Sequence, residues 1–203
     1  MLLAIFDKTA LLFWPVSAVA GLDIVFLTAI TGAFHLDGLA DAADGMLGHR
    51  PREKALEIMK DSRIGVMGVM AIICCLLIKW CGLMNLDRHL RFLMLVLIPA
   101  YARSGMLFGM RLLPYGRTGG TGYAFFQNPL QAKDFVWMIP VVAASILSGW
   151  RGIGLNLIFV LILISILAYY RRRMGCITGD MLGAMTEIME AALFLFLSAG
   201  WIQ

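Results

Sequence analysis

Ile153-Gly-Leu-Asn-Leu-Ile-Phe-Val-Leu-Ile-Leu-Ile-Ser-Ile-Leu-Ala-Tyr-Tyr170 carries no formal charge and runs straight into Arg171-Arg172-Arg173. A helix needs about 20 mostly apolar residues to cross a bilayer. Basic residues at one end of such a run mark the side that stays in the cytoplasm. This stretch therefore reads as a membrane span with its C-terminal end inside. The rest of the chain agrees, being 61% hydrophobic and 15% charged with a mean hydropathy of +0.84. Soluble domains hold about 25% charged residues. The 203 residues make one polytopic all-α membrane bundle, 1–203, with no room for a separate soluble domain.

Working outward, further apolar runs near 10–34, 64–84, 92–113, 135–149 and 181–202 bring the expectation to about six transmembrane helices. The fourth is short and shares the turn Gly149-Trp150-Arg151-Gly152 with the span at 153–170, which suggests a hairpin. Arg50, Arg52, Lys54, Lys60 and Arg63 lie in 35–63, Arg117 and Lys133 in 114–134, and the triple arginine in 171–180. The alternate loops hold only Arg88, Arg91 and Arg151. The three basic loops are thus expected in the cytoplasm, with the termini of this chain outside. The net charge of +4 belongs to those loops and points to the lipid bilayer as partner rather than nucleic acid. The cysteines, Cys74, Cys75, Cys81 and Cys176, form no C-x-x-C pair and read as small packing residues. No secretory signal pattern is evident.

The polar motifs gather on the cytoplasmic side. His35-Leu-Asp37-Gly-Leu-Ala-Asp41-Ala-Ala-Asp44-Gly45 follows the first apolar run. On a helix its three aspartates fall within about 60° of one another. Like charges at that spacing repel, and a divalent cation such as Mg²⁺ would offset them through oxygen ligands. A solvated acidic helix start accounts for Asp37 or Asp41, but not for all three across two turns. Asp61-Ser-Arg63-Ile-Gly65-Val-Met-Gly68 opens the next span, with Asp61 or Ser62 a good N-cap and Arg63 either a phosphate contact or a basic anchor. Arg103 sits inside the third run, where a charge costs about 2.5–3.5 kcal/mol on insertion scales. It is equally suited to a substrate phosphate or to an ion pair with Asp23, Glu187 or Glu190. Tyr115-Gly-Arg117-Thr-Gly-Gly-Thr-Gly122 lacks Walker spacing but can offer backbone amides and Arg117 to an anion. Thr178-Gly-Asp180-Met-Leu-Gly183 opens the last span, and Asp180 and Glu187 share a face of it.

Taken together, these segments resemble the cobalamin synthase family, the adenosylcobinamide-GDP ribazoletransferases. The resemblance rests on His35 to Gly45, Met59-Lys-Asp61-Ser-Arg-Ile-Gly65-x-x-Gly68 and Thr178-Gly-Asp180-x-x-Gly183-Ala, and runs from about Ala10 onward. It implies a Mg²⁺-dependent enzyme of the cell inner membrane, acting late in coenzyme B12 assembly with its active site facing the cytoplasm. The implied reaction moves the adenosylcobinamide phosphate moiety from adenosylcobinamide-GDP to the 5′-hydroxyl of α-ribazole, or to α-ribazole 5′-phosphate, with release of GMP. Asp37, Asp41 and Asp44 would hold the metal at the diphosphate. Asp44, Asp180 and His35 are the candidates for the catalytic base, and Arg63, Arg103, Arg117 and Glu187 for substrate contacts. Family members usually carry another apolar segment ahead of the present start, which would put the N-terminus inside. Whether the chain forms a homo-oligomer is not written in the sequence.

Two rivals fit less well. CDP-alcohol phosphotransferases also place aspartates at cytoplasmic helix ends, but their Ala-Arg between two aspartate groups is missing here. An ion-coupled transporter using Asp23, Arg103, Glu187 and Glu190 would be expected to show repeated halves and broken midplane helices, and no repeat is present.

Overall fold

The computed structural model describes residues 1–119, 122–128 and 130–199. Among these the chain is helical throughout, with one isolated parallel bridge between Tyr115 and Ile177. In order the helices are α1 (Leu2–Ala10), α2 (Val16–Ile30), α3 (Phe34–Met46), α4 (Arg52–Ile58), α5 (Val66–Met84), α6 (Arg91–Leu112), α7 (Met138–Ile146), α8 (Trp150–Arg173) and α9 (Gly179–Leu197). Short 3₁₀ turns at Tyr123–Phe126 and Ala132–Phe135 lie between α6 and α7.

Three of these, α5, α6 and α8, are long and apolar enough to cross a membrane. A fourth crossing requires α2 and α3 to be counted together across an 89° bend. That is fewer than the six spans expected, for three local reasons. The apolar run 10–34 is broken at Pro15 and again at Gly32–Ala33, where both residues take left-handed φ of 60°. The run at 135–149 yields only the nine residues of α7, which turn back into α8 at Gly149, φ 75°. The last run has the length but carries Asp180, Glu187 and Glu190.

α9 forms the middle of the bundle and is buried along most of its length. Inside lipid there is little hydrophobic gain from helix association, so close van der Waals approach must supply it. Small residues make that approach. A Cβ on Gly38 would stand 2.7 Å from the backbone oxygen of Asp180, and one on Gly183 3.2 Å from the backbone of His35. The two contacts run in opposite directions along the chain, so α3 lies antiparallel across the start of α9. At the far end Arg91 ties four elements together. Its Nε donates to Asp7 Oδ1 at 2.7 Å, its Nη2 to Asp23 Oδ2 at 3.1 Å and its Nη1 to the Leu83 carbonyl. Asp23 is thereby locked to structure, not strung along a transport path.

Candidate functional site

The segment expected as a loop over 35–63 contains two helices, and α3 carries the aspartates. Four chain segments meet where α5 and α9 begin and α6 ends. Asp41 is the centre of this rim. Burial pushes its carboxyl up to about 6, and the nearby charges of Asp37, Asp180 and Asp44 add to the rise. Arg117 opposes them. Burial likewise raises Asp180 above the usual carboxylate range, against the pull of Arg117. Arg117 Nη2 donates to Asp180 Oδ2 and, at 3.2 Å, to the Met59 carbonyl. Its Nε is buried without a partner. Arg117 reaches this point because Gly116 N donates to the Ile177 carbonyl at 2.8 Å and Ile177 N to the Pro114 carbonyl at 2.9 Å, clipping the segment after α6 beside the start of α9. Thr178 caps α9 by accepting from Met181 N.

Asp44 does something the spacing did not reveal. Its Oδ2 accepts from Gly65 N at 2.6 Å and its Oδ1 from Gly68 N at 2.9 Å. It is thus the cap of α5, supplied from another helix, and both oxygens are engaged. Gly65 and Gly68 are required for this reach, since a Cβ at either would stand 2.5 Å from a carboxylate oxygen of Asp44. The proposed α5 caps Asp61 and Ser62 do not fill that place. Asp61 instead pairs with Arg63 at 2.6 Å on the surface, and the Arg63 side chain is 87% exposed. That pairing and the backbone N–H of Arg63 pull the Asp61 carboxyl down to about 2.

The remaining candidates lie deeper. Glu187 Oε2 takes Lys79 Nζ at 2.7 Å, and Glu190 Oε2 takes the same Nζ at 2.6 Å. Glu190 Oε1 takes Arg103 Nη1 at 2.7 Å. Arg103 and Glu187 are therefore held in one ion network, and the pairing expected of Arg103 is with Glu190. His35 lies in the field of Arg103, Glu190 and Lys79, at the foot of α3 rather than among the rim carboxylates. Lys79 escaped the sequence reading, although a lone lysine in an otherwise apolar span is itself a signal.

Among the described residues no three His, Cys, Asp or Glu side chains are arranged as a ready metal cage. The donor set at the rim is nonetheless all oxygen and in excess over its one cation. Magnesium characteristically binds through one or two carboxylates and completes its shell with water and substrate phosphate, so Asp37 and Asp41 fit such an ion. Asp44, already committed to two amides, fits it less well than the spacing implied.

Residues 1–198 match the model of the family described as cobalamin-5-phosphate synthase. Relatives named adenosylcobinamide-GDP ribazoletransferase include one from Pseudomonas putida strain KT2440, 37% identical over 187 residues, covering 89% of this chain and 75% of the relative. Another, from Pseudomonas entomophila strain L48, is 36% identical over 186 residues, covering 91% and 76%. A third, from Pseudomonas syringae pv. syringae strain B728a, is 34% identical over 186 residues with the same coverage. No solved structure matches the chain.

Proposed function

The chain belongs to the cobalamin-5-phosphate synthase family, and from that premise we propose how its residues carry out the reaction that its relatives' names describe. The protein is a membrane adenosylcobinamide-GDP ribazoletransferase. The observation that carries the assignment is the meeting of Asp37, Asp41, Asp180 and Arg117, from three separate segments, at one end of a chain matched over residues 1–198.

In the reaction a ribose hydroxyl of α-ribazole attacks the corrinoid-bearing phosphorus of adenosylcobinamide-GDP. A new P–O bond forms, the P–O bond to GMP breaks, and GMP leaves with the electron pair. An acceptor that already carries a 5′-phosphate has no free 5′-hydroxyl. One mechanism therefore serves both acceptor forms only when the nucleophile is a ring hydroxyl, and we assign it so in place of the 5′-hydroxyl expected from the sequence.

Asp37 and Asp41 would hold Mg²⁺. When bound, the ion supplies positive charge at the diphosphate as the leaving group develops. Arg117, with a buried N–H to spare, holds a phosphate oxygen. Asp180 takes the proton of the attacking hydroxyl. Its raised pKa brings it nearer the working pH that a general base needs, whereas both oxygens of Asp44 already accept an amide N–H. Asp44 and Arg63 then act on the framework, one capping α5 and the other at the basic surface. The basic segments around α4 and at the end of α8 support a reading with this rim at the cytoplasmic face of the inner membrane, within reach of a nucleotide-activated donor.

The test is direct. Purified protein in detergent is given adenosylcobinamide-GDP, α-ribazole and Mg²⁺. Cobalamin product with equimolar GMP is expected, and a chelator abolishes both. Failure of GMP release in that mixture would refute the activity. Turnover that survives chelation would refute the role of Mg²⁺ alone.

A further inference from the structure

Lys79 takes no part in the chemistry just described, yet it is buried inside the bundle and bonded to two carboxylates. It stands on α5, 5% exposed, with its ammonium shared between Glu187 and Glu190 while Glu190 also holds Arg103. The four groups balance in charge. Such buried networks are no cheap source of stability, since well-packed apolar residues in their place are often neutral or stabilising. What a fixed network does supply is orientation.

Its place in the bundle indicates what is oriented. Glu187 follows Asp180 by two helical turns and lies within about 20° of it around α9. The direction in which Lys79 draws Glu187 therefore sets the direction in which Asp180 faces. α3 begins near the same network. His35 lies in the field of Lys79, Arg103 and Glu190, and its backbone adjoins Gly183. Two residues further along α3 comes Asp37, and then Gly38 against the backbone of Asp180. Cys75 Sγ adds a 3.6 Å contact to the Glu187 carbonyl.

We propose that Lys79 is a positioning residue for the transfer reaction, fixing through Glu187 and Glu190 the rotation of α9 and hence the placing of Asp180 against Asp37 and Asp41. The proposal rests on the ribazoletransferase reading. A carboxylate about 5 Å from the helix axis moves by nearly 2 Å when the helix turns by about 20°, and misplacement of about 1 Å can cost a hundredfold in rate.

The test uses the full chain in detergent and the charge-balanced variant K79Q/E187Q, which leaves the Arg103–Glu190 pair in place. Its kcat is expected to fall about a hundredfold, with donor KM within about threefold and the melting temperature close to wild type. Lys79→Arg, which keeps the charge, is expected to recover most of the rate. Undiminished kcat in K79Q/E187Q would overturn the proposal, as would a raised donor KM at normal kcat. A rate lost only in proportion to folded protein, with no recovery in Lys79→Arg, would overturn it too. Wild-type turnover is the control. Its absence would refute the activity itself, whereas normal wild-type turnover beside an undiminished double variant refutes only the role of Lys79.

Discussion

The acidic rim and the ion network beneath it are built from the same kinds of side chain and arranged in opposite ways. In the network two cations meet two anions, and both oxygens of Glu190 are paired, one with Lys79 and one with Arg103. At the rim Asp37, Asp41, Asp44 and Asp180 face a single bonded arginine. The network is closed and complete without a ligand. The rim is left with unbalanced negative charge and a buried N–H without an acceptor. Charge that is balanced inside the chain holds the framework, and charge that is left unbalanced is where a cation and a phosphate can be received.

That contrast can be broken at several points. Asp41→Asn should have the largest effect, about a thousandfold loss of turnover, while the bundle still folds. Normal turnover of the variant at limiting Mg²⁺ would remove Asp41 from the metal. K79Q/E187Q follows, at about a hundredfold, and asks whether the closed network serves the open site. Gly68→Ala tests the boundary between them. Its Cβ would stand 2.5 Å from Asp44 Oδ2 and 3.0 Å from the Ala40 carbonyl, so a loss of about 1–3 kcal/mol is expected in thermal melts.

The pH dependence of the rim is subtler, and its sign is fixed. The Asp41 carboxyl is raised from 3.8 to about 6 in the folded protein, so its ionised form costs stability above that pH. Without metal, Asp41→Asn should therefore be more stable than wild type at pH 8, by about 1 kcal/mol after solvent screening, with the gap narrowing below about pH 6 and closing only near the ordinary value of 3.8. Mg²⁺ needs the ionised form, so its apparent affinity should fall as pH drops through about 6. A metal dependence flat from pH 8 to 5 would show that Asp41 is not a ligand. The smallest effect is expected for Arg63→Ala, with the melting temperature unchanged and the rate within about twofold, because its pair with Asp61 is exposed.

Hydropathy and charge placement alone made this a helical membrane protein. The motifs alone gathered its polar chemistry onto one side, because apolar length and basic loops are local properties of a chain. The acidic stripe of α3 was equally legible, since 3.6-residue spacing puts Asp37, Asp41 and Asp44 on one face wherever the helix lies. What those residues do with their neighbours was not. Asp44 became the cap of α5 because Gly65 and Gly68 bring two backbone amides across from a different helix. Glu187 and Arg103 were drawn into ion pairs because α5, α6 and α9 bring Lys79 and Glu190 alongside them. Arg117 reached Asp180 through a two-bond clip to Pro114 and Ile177. Each is a contact between segments far apart in the chain. Residue spacing fixes which side chains share a helix face, but only packing decides which faces meet.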